Sequence, residues 1–504
     1  MGSKSLWLII LMASWSAVCW AQAPAGERID SFLNVMAGHG LFNGTIVAAV
    51  HGKIVYEKST GLADSATGAL NSDSTPFNLA SLSKPFTSLA VLQLVQKGKL
   101  HLGDHFIEYF PDFPYPDITI RQLLSHTSGL PQVEMFEHDY ISKHPDEMIS
   151  GEEAYAHMVA LNQPLQFKPG GKMAYSNMGY ACLALLVAKV AKMPFGEYVR
   201  KNIFLPANMR HTYLRSAGLA NTTRYTIPTM YMTEHRNVDS LDHHVYYSYY
   251  NLGAMAGPGS IISTPRDLLQ FDQALSSGKL LSASWLDSAY SPAVFSDGKA
   301  FHMRGNGSYG FGWNVIRDPG KDTVVYHDGH IPGIVTMLYR NLTRGLTIVY
   351  YDNMDSPLPL DIVGAVSRIL TGTPLRTYRT GQSLARVYGE ALVTKGIDYA
   401  TTTFNVCKDD TVNYYLDEME MNKLGYDLLG ADEVANHKEL SLEVFKLNTL
   451  IFHNANSYDS YADALREDGK EEDAIVMYQK SLAMNPNNPR GTENLKNLLA
   501  AHTH

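Results

Sequence analysis

Three short β-forming runs follow one another between residues 322 and 351, and no other stretch constrains the fold of this chain as strongly. Residues 322–326 lead into a turn, residues 333–340 return, and residues 346–351 follow a loop at 341–345. The runs are rich in Val, Ile, Tyr and Thr, and the connections are too short for a crossover helix, so the three must pair antiparallel. A second antiparallel pair lies near the start, where residues 45–50 and 53–58 meet at His51-Gly52. Helical signals fill the interval. Residues 81–95 are apolar-periodic and stop at Gly98, and residues 119–125 form a second helical piece. Thr264-Pro265-Arg266-Asp267 combines a capping hydroxyl, a proline in the first position and a carboxylate in the first turn. An early hairpin, a late meander and helices between them predict an α/β (α+β) domain, one antiparallel sheet covered by helices.

The 504 residues exceed what one compact domain needs. From about Pro374 the strand signals fade, and the last third reads as helical and repetitive. Leu424-Gly425-Tyr426-Asp427-Leu428-Leu429 is echoed by Ser460-Tyr461-Ala462-Asp463-Ala464-Leu465, and Val444-Phe445-Lys446 by Met477-Tyr478-Gln479. The offset is near the ~34 residues of a tetratricopeptide repeat, with Gly469, Ala474 and Tyr478 where such a repeat packs small and aromatic residues. Two imperfect repeats cannot bury a face alone, so they should stack on helices from Leu384 onward. At the other end, Lys4, an apolar run from Leu6 to Trp20 and Ala21-Gln22-Ala23 read as a secretory signal peptide cleaved near Ala21–Ala23, with an uncleaved anchor as the rival. The expected division is therefore a signal peptide at 1–21, a sheet-and-helix domain at 24–372, a helical linker at 373–415 and TPR-like repeats at 416–504. An exported protein, periplasmic or secreted, follows from the first of these. A net charge of −9 with no long basic run argues against nucleic acid or an anionic membrane as the main partner. Beyond the signal only Cys182 and Cys407 remain, expected in different domains as buried apolar thiols, not as a disulfide framework.

Three groups of residues could carry chemistry. A serine attacks a carbonyl only if something takes its proton, and a lysine three residues later on a helix lies on the same face. Ser81 and Lys84 meet that requirement at a helix start, although Ser276/Lys279 and Ser296/Lys299 share the bare spacing. Tyr175-Ser176-Asn177, reached through Pro169-Gly170-Gly171, offers a phenol that an ammonium would make easier to deprotonate, and an amide that could donate to Lys84 or to substrate. His327-Asp328-Gly329 follows a predicted strand, where Gly329 would allow close backbone approach and a free N–H beyond it could face an oxyanion.

Taken in order, these groups resemble the serine β-lactamases and penicillin-binding proteins, whose signature is S-x-x-K, then Y-x-N, then K-T-G or a variant. The likeness extends to Ser81-Leu82-Ser83-Lys84-Pro85-Phe86-Thr87, Leu123-Leu124-Ser125-His126-Thr127-Ser128-Gly129-Leu130-Pro131, Ser263-Thr264-Pro265-Arg266-Asp267-Leu268 and Tyr309-Gly310-Phe311-Gly312-Trp313. These look like the class C branch and span residues 28–372. The resemblance implies that Ser81 is acylated, that Lys84 accepts its proton, that Tyr175 is general base and acid, and that Asn177 positions. It makes His327 the stand-in for the family's lysine, with the N–H groups of Ser81 and His330 as the oxyanion hole. No metal or organic cofactor is implied. Because histidine is mostly neutral at neutral pH, the substitution points away from β-lactams and toward ester, amide or D-amino-acid peptide substrates, as in esterases and D-aminopeptidases of the family. Asp328 either repels an anionic substrate or raises the pKa of His327. The alternative function is a non-turnover penicillin-binding or sensor protein whose TPR-like tail recruits a protein partner. His126 reads as a structural residue of its loop, His243-His244 as surface, and the Tyr-rich stretch 225–250 as either a cleft lining or a packed connection.

Overall fold

The computed structural model describes residues 23–501 except 65–66, 132–148, 216–254, 304–305, 318–320, 332, 355, 357, 377 and 432–433. The expected signal segment up to Gln22, the stretch 225–250 and His243-His244 lie outside the described residues. Those described fall into two compact units that divide between Tyr378 and Arg379.

The first unit is built on a seven-stranded sheet of β1 (Gly44–Val50), β2 (Lys53–Thr60), β3 (Gly307–Tyr309), β4 (Asn314–Arg317), β5 (Thr323–Ile331), β6 (Ile334–Asn341) and β7 (Leu346–Asp352). Their order is β2-β1-β7-β6-β5-β4-β3, antiparallel throughout. The early hairpin thus joins the late meander through β1 and β7, with Gly44 opposite Asp352 and Val50 opposite Leu346. Every residue of β7 is buried, which requires cover on both faces of the sheet. Helices supply it. α1 (Ala25–Gly38) packs on β2, α4 (Pro265–Ser276) on β1 and β7, and α5 (Pro359–Thr371) on α1, β6 and β7. Between them in sequence, α2 (Lys84–Gln96) and α3 (Asn177–Ala191) pack on each other, and α2 is buried all round from Lys84 to Val95, as befits a central core helix. Thr264 caps α4 by accepting the Asp267 N–H, as its sequence predicts.

One strand departs from expectation. β5 does not end near Tyr326 but continues to Ile331, because His327–Ile331 pair with β6, His327 opposite Leu338 and Gly329 opposite Thr336. The polar run His-Asp-Gly-His has weak strand propensity, and cross-strand pairing overrides it. β4 covers β5 only from Thr323 to Tyr326, so among the described residues the second half of β5 has no strand on its other side.

The second unit is helical: α6 (Leu384–Lys395), α7 (Ile397–Cys407), α8 (Glu418–Leu429), α9 (His437–Phe452), α10 (Ala455–Glu467), α11 (Glu471–Met484) and α12 (Pro489–Ala501). One core joins Leu384, Tyr388, Met421, Leu424 and Val444; a second joins Phe445, Ala462, Leu465, Ala474 and Tyr478. Two helices from the stretch expected to be a linker therefore share the first core of the tail. Gly425 lies directly beneath the Phe445 ring, and the chain turns at Gly469 with φ of 77°. Cys182 is buried in α3, whereas Cys407 at the end of α7 is only half-buried; both are free thiols.

Candidate active site

Ser81 lies in a 3-10 turn, Ala80–Ser83, that runs directly into α2. Ala80, just before it, has φ of 47°, a left-handed conformation that costs a residue with a Cβ about 1 kcal/mol or more. Surrounding bonds hold the turn there. The Asn78 amide oxygen accepts the Ala80 N–H at 2.9 Å, the Leu79 N–H donates to the Ile261 carbonyl at 2.8 Å, and Thr336 of β6 donates its hydroxyl to the Leu79 carbonyl at 2.9 Å. The turn is thereby anchored to the sheet. The Ser81 N–H has no acceptor among the described residues.

Lys84 is completely buried, and its Nζ has three neighbours: Ser81 Oγ at 3.0 Å, Asn177 Oδ1 at 2.7 Å and the Pro258 carbonyl at 3.1 Å. Two of these can only accept. A neutral amine has two hydrogens and one lone pair, so donating to Asn177 and Pro258 leaves the lone pair for the Ser81 hydroxyl. Burial drives the Lys84 pKa well below that of a free lysine, and the Asp328 carboxylate pulls weakly the other way.

Tyr175 and Asn177 flank Ser176, whose hydroxyl caps α3 by accepting the Gly179 N–H at 3.1 Å. That cap fixes both neighbours: Asn177 reaches Lys84, and the Tyr175 ring lies 4.5 Å from Lys84 Nζ with its hydroxyl buried beside Ser81. The expectation that Lys84 makes this phenol easier to deprotonate is reversed. Burial raises the Tyr175 pKa, the Asp328 charge adds to that, and the neighbouring Ser81 hydroxyl only partly offsets both.

The third group also differs from expectation in its chemistry. Gly329 faces the nucleophile turn so closely that a Cβ there would stand 1.9 Å from the Leu79 carbonyl oxygen. His330, next along, is exposed. His327 is 2 % exposed, and both ring nitrogens meet protein groups: Nδ1 the Asp328 carbonyl at 2.6 Å, Nε2 the Tyr309 hydroxyl at 3.1 Å. A lysine in this position would extend a cation; this imidazole turns its nitrogens inward. Burial lowers its pKa, against the opposing pull of Asp328. Of the two roles left open for Asp328, raising the His327 pKa is thus present and outweighed.

The family described as Beta-lactamase matches residues 31–372, about two-thirds of the chain and all of the sheet. The chain belongs to the β-lactamase family. It is 33% identical over 357 residues to penicillin-binding protein 4* of Bacillus subtilis, covering 69% of this chain and 76% of that one. It is 31% identical over 289 residues to the putative penicillin-binding protein PbpX of the same organism, covering 56% of this chain and 66% of that one. Among solved structures, a penicillin-binding protein from Bacillus halodurans superposes with a TM-score of 0.57 at 24% identity, covering 67% of this chain and 98% of that one. The D-amino acid amidase of Ochrobactrum anthropi in complex with L-phenylalanine amide gives 0.56 at 24%, covering 69% and 99%. These likenesses to solved structures establish the fold, a β-lactamase-type sheet flanked by helices.

Within this β-lactamase-family domain the structure brings Ser81, Lys84, Tyr175 and Asn177 together and packs β5, with His327 and Gly329, against the same turn. Sequence reasoning missed one participant and, for a second, named the structural role but not its partners. The Pro258 carbonyl belongs to the Gly257-Pro258-Gly259 turn, where Thr87 Oγ1 donates to the Gly257 carbonyl at 2.8 Å. The Gly-Pro-Gly run signals a turn, but nothing in it signals which side chain the turn will meet. The other is His126, whose carbonyl accepts the Ala174 N–H at 2.9 Å and whose Nδ1 accepts the Ser176 N–H at 3.0 Å. It therefore grips the backbone on both sides of Tyr175.

Proposed function

We propose that this chain is a serine hydrolase that cleaves ester, amide or D-amino-acid peptide bonds through an acyl-enzyme on Ser81. The observation that carries the reading is the buried Lys84 amine, held by two obligatory acceptors so that its remaining valence meets the nucleophile. Lys84 takes the Ser81 proton as Oγ bonds to the substrate carbonyl carbon. The oxyanion forms beside the Ser81 N–H and the second half of β5. Tyr175, still a phenol, gives its proton to the leaving oxygen or nitrogen as the acyl bond breaks, and recovers one from the Lys84 ammonium. Water then adds to the acyl carbon, its proton passing to Lys84; the carbon–Oγ bond breaks, Lys84 returns that proton to Ser81 Oγ, and the acyl group leaves as the acid.

The substrate class follows from the inward-turned His327. A carboxylate beside the scissile bond meets no lysine on β5 and has the Asp328 charge nearby, so uncharged acyl donors are favoured. The test is intact-protein mass spectrometry and steady-state kinetics with a chromogenic ester, a D-amino acid amide and a penicillin. Sustained ester or amide turnover with a transient Ser81 adduct, absent from Ser81→Ala, is expected. Rapid penicillin turnover without ester or amide cleavage would overturn the substrate class. A single burst that never recycles would replace hydrolysis with capture.

A further inference from the structure

Behind the catalytic residues lies a buried line of polar rings that the proposed chemistry does not use. Ser176 N–H donates to His126 Nδ1 at 3.0 Å, His126 Nε2 is 3.2 Å from Tyr309 Oη, Tyr309 Oη is 3.1 Å from His327 Nε2, and His327 Nδ1 is 2.6 Å from the Asp328 carbonyl. His126, Tyr309 and His327 are each 2 % exposed or less. The ends of this line are backbone groups of fixed polarity, an N–H at one and a C=O at the other.

Those ends determine every proton between them. Because His126 Nδ1 accepts, its proton sits on Nε2 and points to Tyr309 Oη. Because a carbonyl only accepts, His327 carries its proton on Nδ1, which leaves Nε2 as a lone pair. Tyr309 must then donate its hydroxyl hydrogen to His327. Tyr180 is a competing neighbour of Tyr309, but its own hydroxyl is committed to the Leu124 carbonyl at 2.8 Å. If Tyr309 turned its hydrogen to Tyr180, His327 Nε2 would face Tyr309 with a lone pair and no donor. With His327 neutral, the line is consistent in one direction only.

We propose that His126 and Tyr309 are positioning residues that lock His327 as a neutral Nδ1–H tautomer with both nitrogens spent, and so deny the site a cation for a substrate carboxylate. This rests on the hydrolase reading for its functional half alone; the tautomer stands on the hydrogen bonds. Among the described residues, the titratable groups facing His327 are Asp328 on its own strand, Lys84 from α2, Tyr175 ahead of α3, Tyr309 from β3 and, beyond Tyr309, His126. Only Asp328 is anionic, so losing the Tyr309 hydroxyl frees a lone pair that can take a proton beside that charge. The same line explains why Tyr175 is so firmly seated: the His126 ring packs against it at a tilt of 36°, with centroids 4.2 Å apart.

The experiment has two arms. In the native full-length protein, nitrogen NMR of labelled histidines should show His327 neutral and protonated on Nδ1, and His126 neutral and protonated on Nε2. Either ring as a cation near neutral pH, or either tautomer reversed, overturns the lock. In the second arm, kcat/KM is measured between about pH 7 and pH 4 for a neutral ester and for its counterpart bearing a free carboxylate, because burial keeps the His327 pKa below that of a free imidazole and a released ring takes its proton only toward the lower end. Tyr309→Phe should shift the ratio toward the carboxylate substrate by roughly tenfold or more, the scale of a hydrogen bond to a charged group. A structural defect would lower both substrates together, and an unchanged ratio in a folded, active Tyr309→Phe overturns the specificity role. Should the native protein turn over neither substrate, the hydrolase reading fails while the NMR arm still decides the tautomer.

Discussion

Gly329→Ala tests whether β5 must lie against the nucleophile turn. The added Cβ would stand 1.9 Å from the Leu79 carbonyl oxygen and 2.6 Å from Thr336 Oγ1, where ordinary contact begins at 3.4 Å. The shortfall to the carbonyl is about 1.5 Å, and the obstacle is backbone, not the free end of a side chain. The strand and the turn must therefore separate by roughly an ångström, which also breaks the 2.9 Å bond from Thr336 to Leu79. Overpacking of this kind costs about 1–3 kcal/mol, a fall of a few degrees in melting temperature for a unit of this size. The catalytic effect should be larger. Misplacing an oxyanion donor by an ångström costs roughly a hundredfold in acylation rate. Stopped-flow acylation with a chromogenic ester reads the rate, and thermal denaturation the stability. Gly103→Ala is the control, because a Cβ there meets nothing within 4 Å. A Gly329→Ala enzyme that acylates at the native rate would refute the reasoning.

Asp328→Asn removes a charge that favours the Lys84 ammonium, so the acidic limb of the acylation profile should move to lower pH; movement toward alkaline pH would contradict the assignment of Lys84 as the base. The sign follows from Lys84 acting as a neutral amine: activity is present above its depressed pKa and is lost as pH falls through it. Far from this turn, Arg340 and Asp272 form a buried ion pair at 2.5 Å, with Ser276 and Tyr290 completing the guanidinium. Arg340→Met should destabilise the first unit by about 3–5 kcal/mol in denaturant titration, and adding Asp272→Leu should recover much of it. In the second unit, Gly425→Ala would set a Cβ 2.5 Å from the buried Phe445 ring, and a loss of about 1–3 kcal/mol is expected from calorimetry of the full chain.

What could be read from the sequence alone was whatever depends on near neighbours. Ser81 and Lys84 share one helical turn, Thr264 and Asp267 write their own cap, and the meander after residue 322 can pair only antiparallel; each is set within a few residues by backbone geometry. The ordered motifs carried the family for the same reason. Long-range packing decided the rest. Propensity ends β5 near Tyr326, yet its register with β6 carries it to Ile331 and puts Gly329 on the nucleophile turn. The role proposed for the Lys84 amine rests on residues 93 and 174 positions away, which close its hydrogen-bond shell. His126 read as a loop residue; it meets Tyr309, 183 positions along, only after the sheet has formed. A proton's position is set by the donors and acceptors around it, and folding brings those from separate parts of the chain.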